Sequence, residues 1–174
     1  MIILGIDPGS RITGYGLIDD QPNQIRYVAS GYLKIVGNSL PERLGQIFQQ
    51  LYTVIGEYRP EQMGIENVFM QRNVDPALKL GQARGAAICA GYQAGVEISE
   101  YAPREIKQAL VGSGAASKEQ GRHMVKRLLG LQGTLQSDEG DCLAIAICHA
   151  QFYATQKKTG IDKTMLKRRR SRRR

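Results

Sequence analysis

The sequence has 174 residues, 42% of them apolar, which suits one domain with a real core and excludes an intrinsically disordered chain. No apolar run approaches the roughly 20 residues a bilayer requires, and Met1–Asp7 reaches an acid with no basic leader, so a soluble, cytoplasmic protein is expected. The net charge of +8 is not by itself a nucleic-acid signature: residues 157–174 carry ten Lys or Arg against Asp162 alone, and residues 1–156 hold fourteen basic and fifteen acidic side chains.

Met1–Ile6 is a short apolar run that reads as a buried strand, stopped by Pro8-Gly9. Tyr15–Ile18 and Arg26–Ile35 continue a meander, with turns at Asp19-Asp20 and Pro22-Asn23. Ser39-Leu40-Pro41-Glu42 combines a capping box with an early proline. Behind it Leu40, Leu44, Ile47, Leu51, Ile55 and Tyr58 give one apolar helix face, ended by Arg59-Pro60. Met63–Met70 reads as a fourth strand, and Asp75-Pro76 starts a second helix. The small residues Gly81, Gly85, Ala86, Ala87, Ala90 and Gly91 make that helix a candidate subunit interface, with Gly85 and Ala86 near its middle. Val96–Tyr101 is a fifth strand. Pro103–Val111 and Ser117–Leu129 are helical pieces joined by Gly112-Ser113-Gly114, and a last helix starts near Ser137 or Asp138 and ends near Tyr153.

Three strands, then helix and strand twice, then helices, predict an α/β fold: a mixed sheet flanked by helices in a single domain. The division expected is a folded domain over 1–156 and a basic, disordered tail over 157–174, which would strengthen DNA binding in a salt-sensitive way. Cys89, Cys142 and Cys148 lie in small, apolar helical stretches and read as reduced packing residues. His123 and His149 have no partner at ligand spacing, so no zinc site is expected.

Four carboxylates stand in unusual places. Asp7 closes the first apolar strand, at the carboxyl edge where α/β sheets collect catalytic groups. Glu66 interrupts a strand-like run, and an ionised Glu there needs a metal or cationic partner. Asp138 and Asp141 share one side of a helix start, where Asp138 as N-cap with Asp141 as reciprocal partner is a purely structural alternative. Taken together, acids from two strands and one helix start suit a hard dication such as Mg²⁺. Phosphodiester hydrolysis fits two such ions about 4 Å apart, one activating water and the other stabilising the leaving oxygen.

Five stretches carry a resemblance: Ile3–Gly16 (with Gly5-Ile6-Asp7-Pro8-Gly9-Ser10), Ile65-Glu66-Asn67-Val68-Phe69, Ala77–Gly85, Tyr101–Gln120 and Ser137–Ala146. In this order they resemble the RuvC family of Holliday junction resolvases over roughly Met1 to Tyr153. The resemblance implies a ribonuclease-H-like fold and a homodimer. It implies paired symmetric nicks at a four-way DNA junction in recombination and repair, with RuvA and RuvB as partners. Asp7, Glu66, Asp138 and Asp141 match the metal-binding catalytic acids, serving Mg²⁺ at two ions per site, with Mn²⁺ as a candidate substitute. Phe69 matches an aromatic placed at disrupted bases, and Lys107 and Lys118 match basic residues near the scissile strand. Two positions depart from the family pattern: Gly140, where alanine is commoner, and Gly121, where an apolar residue is usual.

Read without the resemblance, Phe69 could be core, and Lys107 and Lys118 could be solvated surface or could face a phosphate across the glycine turn. Two other functions compete. An ATP-using domain of the sugar-kinase and actin type also opens with a strand, Gly-Ile-Asp and Thr-Gly, but it needs a second such domain and a second phosphate loop, which this sequence does not supply. A junction binder without catalysis would gain from losing acids near phosphate, and four are present.

Overall fold

The computed structural model describes residues 1–67 and 74–160. Among them lie five strands and five helices: β1 (Ile2–Asp7), β2 (Ile12–Gln21), β3 (Gln24–Lys34), α1 (Leu40–Tyr58), β4 (Gln62–Glu66), α2 (Val74–Gln93), β5 (Glu97–Tyr101), α3 (Pro103–Val111), α4 (Lys118–Leu129) and α5 (Ser137–Thr159). The strands form one mixed sheet in the order β3-β2-β1-β4-β5. The β1–β2 and β2–β3 pairs are antiparallel, and β1–β4 and β4–β5 are parallel. The expected α/β sheet flanked by helices is what is found.

Several boundaries move. Asp19 and Asp20 are paired with Arg26 and Ile25 inside the hairpin rather than forming a turn, and Pro22-Asn23 alone make the connection. Helix α1 opens on the expected capping box, with Ser39 Oγ accepting from the Glu42 amide and the Glu42 carboxylate accepting from the Ser39 amide. Strand β4 ends at Glu66, so that acid terminates a strand instead of interrupting one. Helix α5 continues to Thr159, past Tyr153 and three residues into the stretch expected to be tail. None of the helices among the described residues is long and apolar enough to cross a membrane.

Side chains alternate across the sheet and fill two cores. Leu4, Ile6, Leu17, Met63 and Ile65 pack toward α1 and α2, with Ile47, Leu51, Ala83, Ala87 and Ala90. Ile3, Ile18 and Tyr101 pack toward α3, α4 and α5, with Ile106, Leu110, Val125 and Leu143–Cys148. The sheet lies sandwiched between them. Helix α5 crosses directly over the strands because glycines leave room for it. A Cβ on Gly5 would stand 2.1 Å from the Cys142 carbonyl oxygen, and one on Gly16 would stand 2.8 Å from the Leu143 nitrogen.

Helix α5 is also pinned by a buried polar chain. Gln62 Oε1, which can only accept, lies 2.9 Å from His149 Nε2, so His149 donates there, and its Nδ1 accepts from the Tyr101 hydroxyl at 2.8 Å. The Gln62 amide nitrogen in turn donates to Glu97 at 2.8 Å. This explains the histidine without a metal. Cys142 and Cys148 are buried as expected, but Cys89 is exposed: α2 turns it away from the Ala83–Ala87–Ala90 face that meets the core.

Candidate active site

The β1–β4 register pairs Ile6 with Ile65, so the next residues, Asp7 and Glu66, finish neighbouring parallel strands side by side. Gly5 and Gly64, two residues before each, face α5, and strand alternation therefore turns Asp7 and Glu66 to that same face. There they meet the start of α5. Its N-cap is Gln136, which makes no side-chain cap bond. Asp138 therefore sits in the first helical turn instead of capping it, and the capping alternative for the Asp138–Asp141 pair does not hold. The loop after Asp7 is tied down by Thr13, whose buried hydroxyl donates to the Gly9 carbonyl at 2.8 Å and accepts from the Gly9 amide at 3.3 Å. That amide is committed within its own loop and is not free to cradle a phosphate.

The electrostatics record how the acids crowd. Burial, then Asp141, pushes the Asp7 carboxyl up to about 6, with Asp138 adding to the rise and Lys118 opposing it. Burial, then Asp7 and Asp141, pushes Glu66 up to about 7, against Lys118 and Lys107. Lys118 Nζ donates to Asp141 Oδ2 at 3.1 Å, and that contact, with Asp7 and Glu66 beyond it, raises the lysine's own pKa. The structure thus brings Asp7, Glu66, Asp138, Asp141, Lys107 and Lys118 into one electrostatic neighbourhood.

These acids do not form a finished ion shell. Among the described residues no three His, Cys, Asp or Glu side chains stand close enough together to hold a metal. Coulombic coupling reaches further than coordination, and Asp141 is engaged by Lys118. The donor set nevertheless fits a hard dication: all donors are carboxylate oxygens, and two of them carry raised pKa values that a bound cation would reverse. Phe69 lies outside the described residues. Gly140 acquires a reason, since a Cβ there would stand 2.8 Å from Arg122 Cγ: the glycine between the two acids of α5 admits the stem of an α4 arginine.

A family profile described as "Crossover junction endodeoxyribonuclease RuvC" matches residues 3–149. The chain belongs to the RuvC family. A RuvC from Marinobacter nauticus is 55% identical over 87% of this chain and 86% of its own, and one from Chromohalobacter salexigens is 54% identical over 89% and 82%. The Thermus thermophilus RuvC solved in complex with a Holliday junction substrate superposes with a TM-score of 0.82 at 36% identity, over 90% of this chain and 96% of that one. Five stretches of sequence pointed to the RuvC family, and profile, relatives and fold agree with them. Sequence reasoning missed Asn67 and Arg84, which join α2 to the end of β4 beside Glu66. Its available signal was a lone cation in the Gly- and Ala-rich run of α2.

Proposed function

We propose that this RuvC-family chain nicks four-way DNA junctions as a homodimer, hydrolysing one phosphodiester in each of two strands and leaving 5′-phosphate and 3′-hydroxyl ends. The observation that carries the reading is the meeting of two strand-end acids, Asp7 and Glu66, with the first two turns of α5, which bear Asp138 and Asp141. These four are the residues that would hold Mg²⁺ or a similar hard dication. When bound, such ions supply Lewis acidity toward water and phosphate oxygens. Asp7, central in the coupling to both other elements, is the candidate shared ligand. In the metal-free protein burial and crowding raise the Asp7 and Glu66 pKa values, so binding of the ions would release protons from these acids. Lys118 and Lys107 are proposed to meet the phosphate backbone, a reading supported by their electrostatic coupling to Glu66 and by the Lys118–Asp141 contact, which keeps that ammonium beside the acids. Phe69 is proposed to stack on an unpaired base.

The homodimer reading rests on α2. Its inward small residues, Ala83, Ala87, Ala90 and Gly91, seat the helix on its own core, and Ala86 packs partly there. The outward stripe differs: Leu78 is 58% exposed, Tyr92 is 81% exposed, and a Cβ on Gly81 or Gly85 would meet nothing within 4 Å. An apolar stripe with glycines at its middle fits a close helix contact with a second copy. Tyr92→Glu should convert the dimer to a monomer in sedimentation, and an unchanged sedimentation coefficient would refute this interface. RuvA and RuvB are proposed partners, and the cytoplasm the proposed compartment, by family membership alone.

The test is a synthetic four-way junction mixed with the protein and Mg²⁺ and scored for paired nicks. Asp7→Asn should keep junction binding and lose cleavage by at least about a thousandfold, in line with removal of a central catalytic group. Cleavage at the normal rate by that variant would refute the assignment.

A further inference from the structure

Arg84 of α2 reaches the parallel strands β4 and β5 where they end. One of its terminal nitrogens, Nη2, donates to Asn67 Oδ1 at 3.0 Å and lies 2.6 Å from Glu100 Oε1. Asn67 follows Glu66 directly, and its amide donates to the Tyr101 carbonyl at 2.8 Å, one step beyond the last Glu66–Tyr101 pair of the β4–β5 ladder. Strand alternation places Asn67 on the α2 side of the sheet and Glu66 on the α5 side. Arg84 therefore grips the residue after Glu66 from the face opposite the acids.

We propose that Arg84 is a positioning residue for Glu66: through Asn67 and Glu100 it fixes the ends of β4 and β5, and so sets where the Glu66 carboxylate stands relative to Asp7 and α5. Three features favour this over an incidental surface ion pair. The arginine side chain is only 19% exposed. Its Nε is buried as well, so the guanidinium is held inside the contact between α2 and the sheet and is not spread on the surface. One nitrogen serves two acceptors, on Asn67 just past the end of β4 and on Glu100 in β5, so a single contact ties both strand ends together. Partners that orient a metal-binding carboxylate in this way change metal affinity or activity by about 10–100-fold when removed. Arg84 also neighbours Gly85 at the middle of the proposed dimer stripe, so the helix that would meet the second copy is the helix that holds Glu66.

The inference rests on the nuclease reading of this site, and its test separates the two. Full-length Arg84→Met and Asn67→Ala, with the double variant, are measured for nicking at saturating junction, for junction affinity without metal, for sedimentation, and for the rise in Tm on titrating Mg²⁺. Each single variant should cut about 10–100-fold more slowly and need about tenfold more Mg²⁺ for half the Tm rise, with affinity and sedimentation unchanged. Because both act through one contact, the double variant should be no worse than the poorer single, and Arg84→Lys should recover only part of the loss. Wild-type cutting and Mg²⁺ response in Arg84→Met, or losses that multiply in the double variant, would overturn the proposal. Should Arg84→Met fail to fold, an unaltered Asn67→Ala would overturn it equally. A junction left intact by the wild-type protein would overturn the nuclease reading and this inference with it.

Discussion

At Asp7 and Glu66 burial and neighbouring carboxylates both oppose ionisation, which makes the metal-free protein sensitive to pH in a defined direction. Their carboxyls titrate at about 6 and about 7 in the fold, against 3.8 and 4.5 for exposed groups. Raised folded pKa values mean that the folded state binds more protons than the unfolded chain between these limits, so stability falls as pH rises from about 4 to about 7. The penalty is absent below that window and complete above it. With EDTA present, Glu66→Gln should raise stability at pH 8 by about 2 kcal/mol, allowing for the solvent that still reaches a half-buried group, and should change it little at pH 4. Denaturant midpoints at the two pH values check this; a gain that is larger at pH 4 would reverse the assigned sign. Added Mg²⁺ should cancel the advantage, because the wild-type acids then have a cation to bind. The residues themselves were legible: an acid closing a strand and an acid pair opening a helix stand out against apolar flanks. The capping alternative was not resolvable from spacing, since it turned on α5 starting at Ser137 with Gln136 as N-cap.

Elements bring these residues together through the way α5 lies on the sheet. A methyl group on Gly5 would be forced against the Cys142 carbonyl, a backbone atom that cannot step aside without moving the helix. Gly5→Ala should therefore cost about 3 kcal/mol or more. In any fraction that still folds it should also slow cleavage, because Asp138 and Asp141 ride on the displaced end of α5. Gly45→Ala in α1, where a Cβ meets nothing within 4 Å, is the matched control and should stabilise by about 0.5–1 kcal/mol. Urea midpoints for the pair decide the matter: equal effects would mean that α5 is not seated by its glycines. Periodicity made α1, α3 and α4 legible almost to the residue, since each has a capping residue or proline at its start and glycine or Arg59-Pro60 at its end. It could not sort the small residues of α2. Ala87, Ala90 and Gly91 look like Gly81 and Gly85 in sequence, yet the first three meet the core and the last two face open space. Nor could it foresee Arg84, whose partners come from strands 17 and 16 residues away that only the fold brings near.

On the scale of the whole molecule, charge and catalysis are separated along the chain. The region holding the acids is close to neutral, and the excess positive charge belongs to its C-terminal end, where residues 161–174 contribute eight Lys or Arg against Asp162. Polyanion binding by such a segment gains chiefly from counterion release, so it weakens linearly on a logarithmic salt scale, with a slope of about 0.9 for each phosphate neutralised. Phosphates met by Lys107 and Lys118 at the site contribute to that slope whether or not the segment is present. A protein ending at Gly160 keeps α5 and all four acids. It should therefore cut a saturating junction at close to the full rate in low salt, while its junction affinity falls and its salt slope becomes shallower by several units. Nicking rates at saturation, together with affinities at about 50 and 200 mM salt, test this division of labour. An unchanged slope would mean that the basic end does not touch DNA, and a collapse of the saturated rate would mean that it serves the active site itself.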